Sequence, residues 1–132
     1  MPQINFDQAK EFLNNITSED KIAIIHHDDP DGFASGIVLY DWCEQKKATA
    51  ETFTFAFGKW DKKIDLNKFD KILIADIAPG GIKEIAPPIN KQILYTDHHP
   101  KKENIPEEIF AYQTQKDGYF PSSRTTGELT EI

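Results

Sequence analysis

The sequence has few of the residues that mark secreted or membrane proteins. Only one residue, Cys43, is a cysteine, which excludes an internal disulfide and a cysteine-based zinc cluster. No apolar run approaches the roughly 20 residues that span a bilayer. The first residues lack the basic and apolar regions of a signal peptide. These absences predict a cytoplasmic protein without membrane association.

Positive charge is also scarce. Lys and Arg total 15 against 22 Asp and Glu, the net charge is −7, and Arg124 is the only arginine. Such a chain is not expected to bind nucleic acid by surface charge alone. If it handles phosphates, something other than a basic surface must supply positive charge. At 132 residues, with 39% hydrophobic and 28% charged, it is typical of one folded domain with one core.

Short apolar strands alternate with helices along the chain. Apolar, β-branched runs predict strands at residues 21–26, 52–57, 71–75, 92–96 and 109–113. Helical spacing of apolar residues predicts helices at 5–16, 32–47 and 122–132, with a short helical turn at 81–85. The helix at 32–47 is apolar on most sides, so we expect it to lie between two layers. The alternation predicts an α/β fold with a largely parallel sheet flanked by helices.

Acidic residues and histidines follow three of the predicted strands. They are His27, Asp29 and Asp31 after the first strand, Asp76 after the third, and Asp97, His98 and His99 after the fourth. The carboxyl ends of parallel strands meet at one edge of a sheet, so we expect these side chains in one crevice. Divalent cations would offset the negative charge gathered there. Mixed Asp and His ligands without cysteine favour manganese, with magnesium, iron or zinc as alternatives.

The segment that follows the first strand has a spacing of its own. Residues two apart in an extended chain point the same way, which would direct His27, Asp29 and Asp31 towards one ion. Pro30 favours extended geometry at Asp29, and Gly32 lets the chain turn into the next helix. An ordinary turn rich in Asp, Pro and Gly is the alternative interpretation. The neighbouring His26 points the other way by the same parity and is interpreted as structural.

Taken together, these motifs resemble those of the DHH phosphoesterase superfamily. HHDDPDGFAS, the single aspartate of LIADIAP and YTDHHP occur in the order and spacing of that family, over about residues 20 to 130. The contiguous histidine–aspartate–aspartate–glycine form is more similar to the RecJ and oligonucleotide-cleaving branches than to the pyrophosphatase branch. The resemblance implies a parallel α/β domain with a metal site at the carboxyl ends of its strands.

The resemblance also implies roles for individual residues. It implies five ligands for a pair of manganese ions, with magnesium as an alternative: His27, Asp29, Asp31, Asp76 as the bridge, and His98. It implies that His99 contacts the substrate phosphate and that Asp97 orients the histidines. The implied activity is phosphodiester hydrolysis on single-stranded nucleic acid or short oligonucleotides by metal-activated water. Two alternatives stay open: a non-catalytic relative that binds a partner, and a hydrolase of small phosphates such as cyclic dinucleotides.

The sequence departs from the family pattern after the DHH triplet. The family has a further metal-binding aspartate some tens of residues on, and only residues 100–132 follow His99 here. Glu128 and Glu131 lie in a predicted helix similar to the one that precedes that aspartate, and Asp117 is interpreted as part of a turn. The family's glycine-rich second domain has no counterpart. Residues 1–132 are therefore expected to be the N-terminal part of a DHH domain that depends on a complementary C-terminal fragment or on self-association.

Two further segments have alternative interpretations. Phe55, Phe57 and Trp60 could stack on bases, as in single-strand binders, or belong to the core. The helix start at residues 122–126, with its hydroxyls and Arg124, could contact a phosphate or be an ordinary capped helix. Cys43 is expected to be a packed helix residue.

Overall fold

Strands and helices alternate along the chain in a computed structural model that describes residues 4–97, 109–113 and 122–130. The described strands are β1 (Lys21–His27), β2 (Thr49–Phe55), β3 (Lys71–Ala75), β4 (Gln92–Asp97) and β5 (Phe110–Gln113). The described helices are α1 (Phe6–Asn14), α2 (Pro30–Gln45), α3 (Pro79–Ile85) and α4 (Ser122–Leu129), with a 3₁₀ turn at Leu66–Lys68. No described helix has the length and apolar character needed to cross a bilayer.

The five described strands form one parallel sheet in the order β2-β1-β3-β4-β5. The predicted α/β fold with a parallel sheet is therefore confirmed. The chain passes from β1 to β2 on one side and then returns to β3 on the other side of β1. Such a reversal opens a crevice outside the carboxyl ends of the two strands that flank it. In this sheet those two strands are β1 and β3.

Both faces of the sheet are covered, as the nearly continuous apolar strands require. Successive residues of a strand point to opposite faces, so Ile22 and Ile24 of β1 enter one apolar core while Ala23 and Ile25 enter the other. Helices α1, α2 and α4 contribute to the first core, and α3 contributes to the second with the segment between β2 and β3. The sheet is thus the middle layer of three.

Helix α2 and strand β2 differ from their predictions. Strand β2 begins at Thr49, three residues earlier than predicted, because it pairs with β1 from Lys21 onwards. The expectation that α2 lies between two layers was wrong. Its outer side faces solvent, where Phe33 is 47% exposed and Ile37 is 68% exposed. Apolar composition alone did not distinguish a central helix from an outer helix with apolar residues on its surface.

A largely buried ion pair ties the turn before β1 to the start of β3. The Nζ atom of Lys71 lies 2.6 Å from Oδ2 of Asp20, which also accepts a hydrogen bond from the backbone N–H of Thr17 at 2.8 Å. Burial acts to raise the pKa of Asp20. The hydrogen bonds from Lys71 and Thr17 outweigh that effect, so the pKa lies below its ordinary value of 3.8.

We expect Asp20→Asn to lower the free energy of unfolding by about 2 kcal/mol at neutral pH, because buried Lys71 loses its charged partner. Since the pKa of Asp20 is lower in the folded chain than in the unfolded chain, this stabilisation is fully present above about pH 5. It disappears as the pH falls through the folded-state pKa. Urea unfolding should show the difference between the wild type and D20N narrowing from about pH 5 to about pH 2. Asp41→Asn, at an exposed position, is the control, and a difference that does not vary with pH would contradict this role for the ion pair.

Candidate metal centre

The candidate site lies at the reversal of strand order between β1 and β3. His27 is the last residue of β1, Asp29 is the N-cap of α2, and Asp76 directly follows β3. One potential ligand atom of each residue lies within 4.8 Å of those of the other two. The structure thus brings together three of the five predicted metal ligands, from two motifs that are far apart in the sequence.

Asp29 is positioned by hydrogen bonds to its own segment. Its backbone is extended (φ −102°, ψ 172°), as predicted for a residue that precedes proline. Its Oδ1 accepts a hydrogen bond from the backbone N–H of Gly32 at 2.7 Å, and its Oδ2 lies 2.9 Å from Nδ1 of His27. Asp29 therefore caps α2 and orients the imidazole at the same time. With Nδ1 engaged, Nε2 is the ring nitrogen of His27 that remains for a cation.

Asp31 does not follow the predicted extended geometry. Helix α2 begins at Pro30, so Asp31 lies in the first helical turn, and a spacing of two no longer aligns its side chain with Asp29. Its backbone carbonyl accepts a hydrogen bond from Oγ of Ser35 at 2.8 Å. Among the described residues, the group of mutually close ligand atoms consists of His27, Asp29 and Asp76 without Asp31. The role of Asp31 as a ligand stays a prediction.

Asp76 combines deep burial with an uncommon backbone conformation. It is 1% exposed and has a φ of 61°, in the left-handed region. Aspartate and asparagine tolerate that region better than most residues other than glycine. Its backbone N–H donates to the carbonyl of Thr96 at 3.1 Å, which fixes it at the end of β4. A buried carboxyl group on a strained backbone is costly to stability, and such positions are typical of functional sites.

The carboxyl groups of Asp29 and Asp76 are joined by a hydrogen bond. Burial acts to raise the pKa of Asp29. Hydrogen bonds from Gly32, His27 and Asp76 outweigh this effect, so the pKa lies below the ordinary value of 3.8. A hydrogen bond between two carboxyl groups needs one proton shared by the pair. A cation bound between the two groups would replace it.

This donor set fits a divalent cation. One imidazole and two carboxylates without sulfur suit manganese, magnesium, iron or zinc. Two ligand atoms, each about 2.1 Å from one ion, are at most about 4.2 Å apart. Ligand atoms that are up to 4.8 Å apart would therefore have to move closer together to share one ion. Three such ligands can hold one ion, and a second ion needs further ligands.

Two glycines allow α2 to approach β1 closely enough to build this site. A Cβ atom on Gly32 would lie 2.2 Å from the carbonyl oxygen of His27, and one on Gly36 would lie 2.5 Å from the ring of His26. His26 is buried, and its Nδ1 donates to the carbonyl of His27 at 2.9 Å. This arrangement agrees with the interpretation of His26 as structural. Gly32 holds the start of α2 against the last residue of β1.

Asp97 is buried at the end of β4, and a tyrosine contacts it. The hydroxyl group of Tyr95 lies 2.9 Å from Oδ2 of Asp97 and donates to the carbonyl of Ile77 at 2.5 Å. Burial, followed by the negative charge of Asp97, raises the pKa of Tyr95 far above its ordinary value, so the phenol stays protonated. Tyr95 was not predicted to belong to the site. The sequence signal for it was a tyrosine two residues before Asp97 in a strand predicted to be buried.

The structure describes some of the remaining predicted positions and not others. His98, His99, Asp117 and Glu131 lie outside the described residues. Glu128 lies in α4, where its Oε1 is 3.0 Å from Nε of Arg124 in an exposed pair one helical turn apart.

Of the aromatic residues considered for base stacking, Phe55 and Trp60 are buried in the core, and Phe57 is 54% exposed. The core interpretation is therefore right for the first two. Cys43 is buried in α2, as expected, and burial raises the pKa of its thiol to about 12.

Comparison with known proteins identifies relatives of this arrangement. The family model described as DHH family, N-terminal domain, matches residues 21–130. RecJ in complex with Mn²⁺ from Thermus thermophilus has a TM-score of 0.74 at 15% identity, and the match covers 98% of this chain and 20% of that one. Exonuclease RecJ bound to manganese has a TM-score of 0.73 at 15% identity, and the match covers 98% and 37%. The likeness shows a common fold, and this chain spans only a minor part of either RecJ. No curated protein matches the chain.

We expect Gly32→Ala to destabilise the chain by about 2 kcal/mol or more, because the new methyl group meets a backbone carbonyl that cannot move without displacing His27. Gly127→Ala is the matched control. Gly127 lies in α4, and among the described residues no atom outside its own stretch of helix lies within 4 Å of a new Cβ, so this change should stabilise the helix by about 0.5–1 kcal/mol. Urea unfolding measures both variants. Equal effects of the two substitutions would contradict the close approach of α2 to β1.

We expect manganese to raise the melting temperature by several degrees, since an ion at about 100 times its dissociation constant stabilises the folded state by about 2.7 kcal/mol. Calcium should act less, because imidazole is a poor calcium ligand. Asp76→Asn should remove the manganese effect while tolerating the left-handed backbone. Without metal, D76N should be at least as stable as the wild type, because a buried pair of acids is relieved. Asp41→Asn should retain the full shift, and a D76N chain that still responds to manganese would refute the site.

Proposed function

Since the chain belongs to the DHH family, whose N-terminal-domain model matches residues 21–130, we propose that it is a manganese-dependent hydrolase of phosphodiesters in single-stranded nucleic acid or short oligonucleotides. The observation that carries this proposal is the convergence of His27, Asp29 and Asp76 at the reversal of strand order. An imidazole and two carboxylates at that edge of a parallel sheet are a donor set for metal-assisted phosphoryl chemistry. The resemblance of the sequence to the RecJ branch supports nucleic acid as the substrate class.

The described ligands would hold one ion, and the proposed pair of ions needs more. His27, Asp29 and Asp76 would bind the first ion, with Asp31 and His98 as proposed further ligands. When bound, the two ions would supply an activated water nucleophile and positive charge for the phosphoryl group. They would also provide the positive charge that an acidic chain with one arginine otherwise lacks.

The chain's own groups would orient this chemistry. Asp29 holds the imidazole of His27 through Nδ1, which fixes the direction of Nε2. The hydroxyl group of Tyr95 lies 2.9 Å from the carboxyl group of Asp97, the residue that directly precedes His98 and His99 in the sequence. The positive end of the α2 dipole lies at the same edge and favours an anionic substrate.

We also propose that the site is completed from outside residues 1–132. The family's last metal-binding aspartate has no match among residues 100–132. A complementary fragment, or a second copy of this chain, would supply the missing ligand. A site that lacks this ligand should bind one ion more weakly than the other and turn over slowly.

Hydrolysis of a labelled single strand of about 10 nucleotides tests the proposed function. With manganese we expect the single strand to be cleaved slowly. Cleavage should become faster when a fragment that carries the missing aspartate is added, and duplex should be cleaved much more slowly than the single strand. Asp76→Asn and His27→Gln should each reduce the rate by about 100-fold or more, while Asp41→Asn should leave it unchanged.

The same assay separates the alternatives. A preference for cyclic dinucleotides would favour the small-phosphate hydrolase, and equal cleavage of pyrophosphate and oligonucleotides would contradict a nuclease. No turnover with or without the fragment, in a chain that still binds manganese, would favour the non-catalytic, partner-binding alternative.

A further inference from the structure

A second cleft, on the α3 face of the sheet, gathers lysines on this acidic chain. Its volume is about 670 Å³, and it lies between the segment that joins β2 to β3 and the C-terminal end of α3. Lys62, Lys63 and Lys83 line it, and Trp60 forms part of its wall. We call it the lysine cleft. Its lysines come from positions about 20 residues apart in the sequence, so the local concentration of positive charge was not evident from composition.

The acidic residues of the lysine cleft are engaged by backbone amides. Glu84 accepts hydrogen bonds from the backbone N–H groups of Gly58 at 2.8 Å and Trp60 at 3.2 Å. Asp65 accepts one from the backbone N–H of Asn67 at 3.1 Å. Across the described part of the chain, none of the three cleft lysines takes part in an ion pair. Among the described residues, no ion pair therefore competes with an anion for their ammonium groups.

The lysine cleft and the metal centre are connected by one short helix. Helix α3 begins at Pro79, three residues after Asp76, and ends at Ile85, which lines the cleft. A rise of about 1.5 Å per residue places the two ends of this helix about 10 Å apart. A strand with one phosphate at the metal centre could therefore reach the cleft with phosphates a few nucleotides away.

We propose that the lysine cleft binds the phosphate backbone of a single strand whose scissile phosphate lies at the metal centre. This proposal rests on the proposed function and extends it. Lysine ammonium groups on flexible stems attract phosphates without reading base sequence. Trp60 is only 8% exposed and contacts Phe53 and Phe55, so its ring face is not offered to a base. The cleft is therefore expected to raise the affinity for longer strands without selecting a base sequence.

A charge-matched pair of variants tests this cleft. In the first, Lys62, Lys63 and Lys83 are all changed to Gln, and in the control Lys21, Lys47 and Lys91, which lie outside the cleft, are changed to Gln. Fluorescence anisotropy with a labelled single strand of about 12 nucleotides, without metal, measures binding at several salt concentrations. The cleft variant should bind at least tenfold more weakly. A plot of the logarithm of its association constant against the logarithm of the salt concentration should have a negative slope that is smaller in magnitude by about 2. This corresponds to about 0.7 for each phosphate that the variant no longer neutralises. Equal weakening in the two variants, or none in the cleft variant, would overturn the proposal.

A free phosphate compound carries the same anionic group as a strand, so a second experiment must distinguish these two ligands. The resonances of the two tryptophans provide the measurement. Trp60 lines the cleft, while Trp42 belongs to the core on the other face of the sheet. In a metal-free NMR titration, the single strand should shift the indole N–H resonance of Trp60 and leave that of Trp42 unchanged. An equal response to a mononucleotide or to inorganic phosphate would assign the cleft to a small ligand and overturn the strand assignment. No response of Trp60 to any of the three probes would also overturn it.

The two proposals fail separately. Strand binding that depends on the cleft lysines, in a chain without manganese-dependent hydrolysis, would retain the cleft and remove the nuclease. Manganese-dependent hydrolysis in the wild type, with strand binding unaffected in the cleft variant, would remove the cleft and retain the nuclease. If both are right, the cleft variant should cleave a dinucleotide at the wild-type rate and a strand of about 12 nucleotides at least tenfold more slowly at limiting substrate.

Discussion

The carboxyl group of Asp76 sits in the protein interior at the end of β3, and the neighbouring elements are arranged around that burial. An isolated charge there would be costly, so the group needs a proton, a hydrogen bond or a cation. The carboxyl group of Asp29, at the start of α2, is the hydrogen-bond partner of Asp76, and the backbone N–H of Asp76 donates to the carbonyl of Thr96 in β4. The same closeness that makes the two acids share a proton makes them a candidate pair of ligands for a metal ion.

The fold and the site depend on the same few contacts at the start of α2. Asp29 caps the helix and orients His27, so loss of its carboxylate would remove a helix cap and a candidate ligand together. Gly32 brings the helix against the backbone of β1. Stability and the proposed metal binding would therefore be coupled at this end of the molecule, because residues that start the helix also belong to the candidate site.

Charge is distributed unevenly over the molecule. Acidic groups gather at the carboxyl ends of β1 and β3, where cations would offset them, while three lysines line a cleft at the far end of α3. The net charge of −7 does not show how charge is distributed between the candidate metal centre and the lysine cleft. Local concentrations of charge act on a phosphate over distances of about the Debye length, roughly 8–10 Å, so their placement matters more than the total.

The sequence by itself determined the order of strands and helices and the edge of the sheet at which the site lies. Both follow from local patterns, because apolar runs mark buried strands and the polar motifs come directly after them. It also indicated the kinds of ligand, since His27, Asp29 and Asp76 belong to recognisable motifs.

Only the tertiary structure decided which of these residues meet. The position of β1 between β2 and β3 makes His27 a neighbour of Asp76, and strand order results from long-range pairing that no local pattern contains. The early start of α2 turned Asp31 away from the expected line, because capping by Asp29 begins the helix at Pro30. Trp60 is buried whereas Phe57 is exposed, although both follow β2. The packing of α3 against the segment between β2 and β3 places Lys83 in the same cleft as Lys62 and Lys63. The strand order, the burial of Trp60 and the approach of Lys83 depend on contacts between segments distant in the sequence, whereas the start of α2 depends on the local hydrogen bond from Gly32 to Asp29.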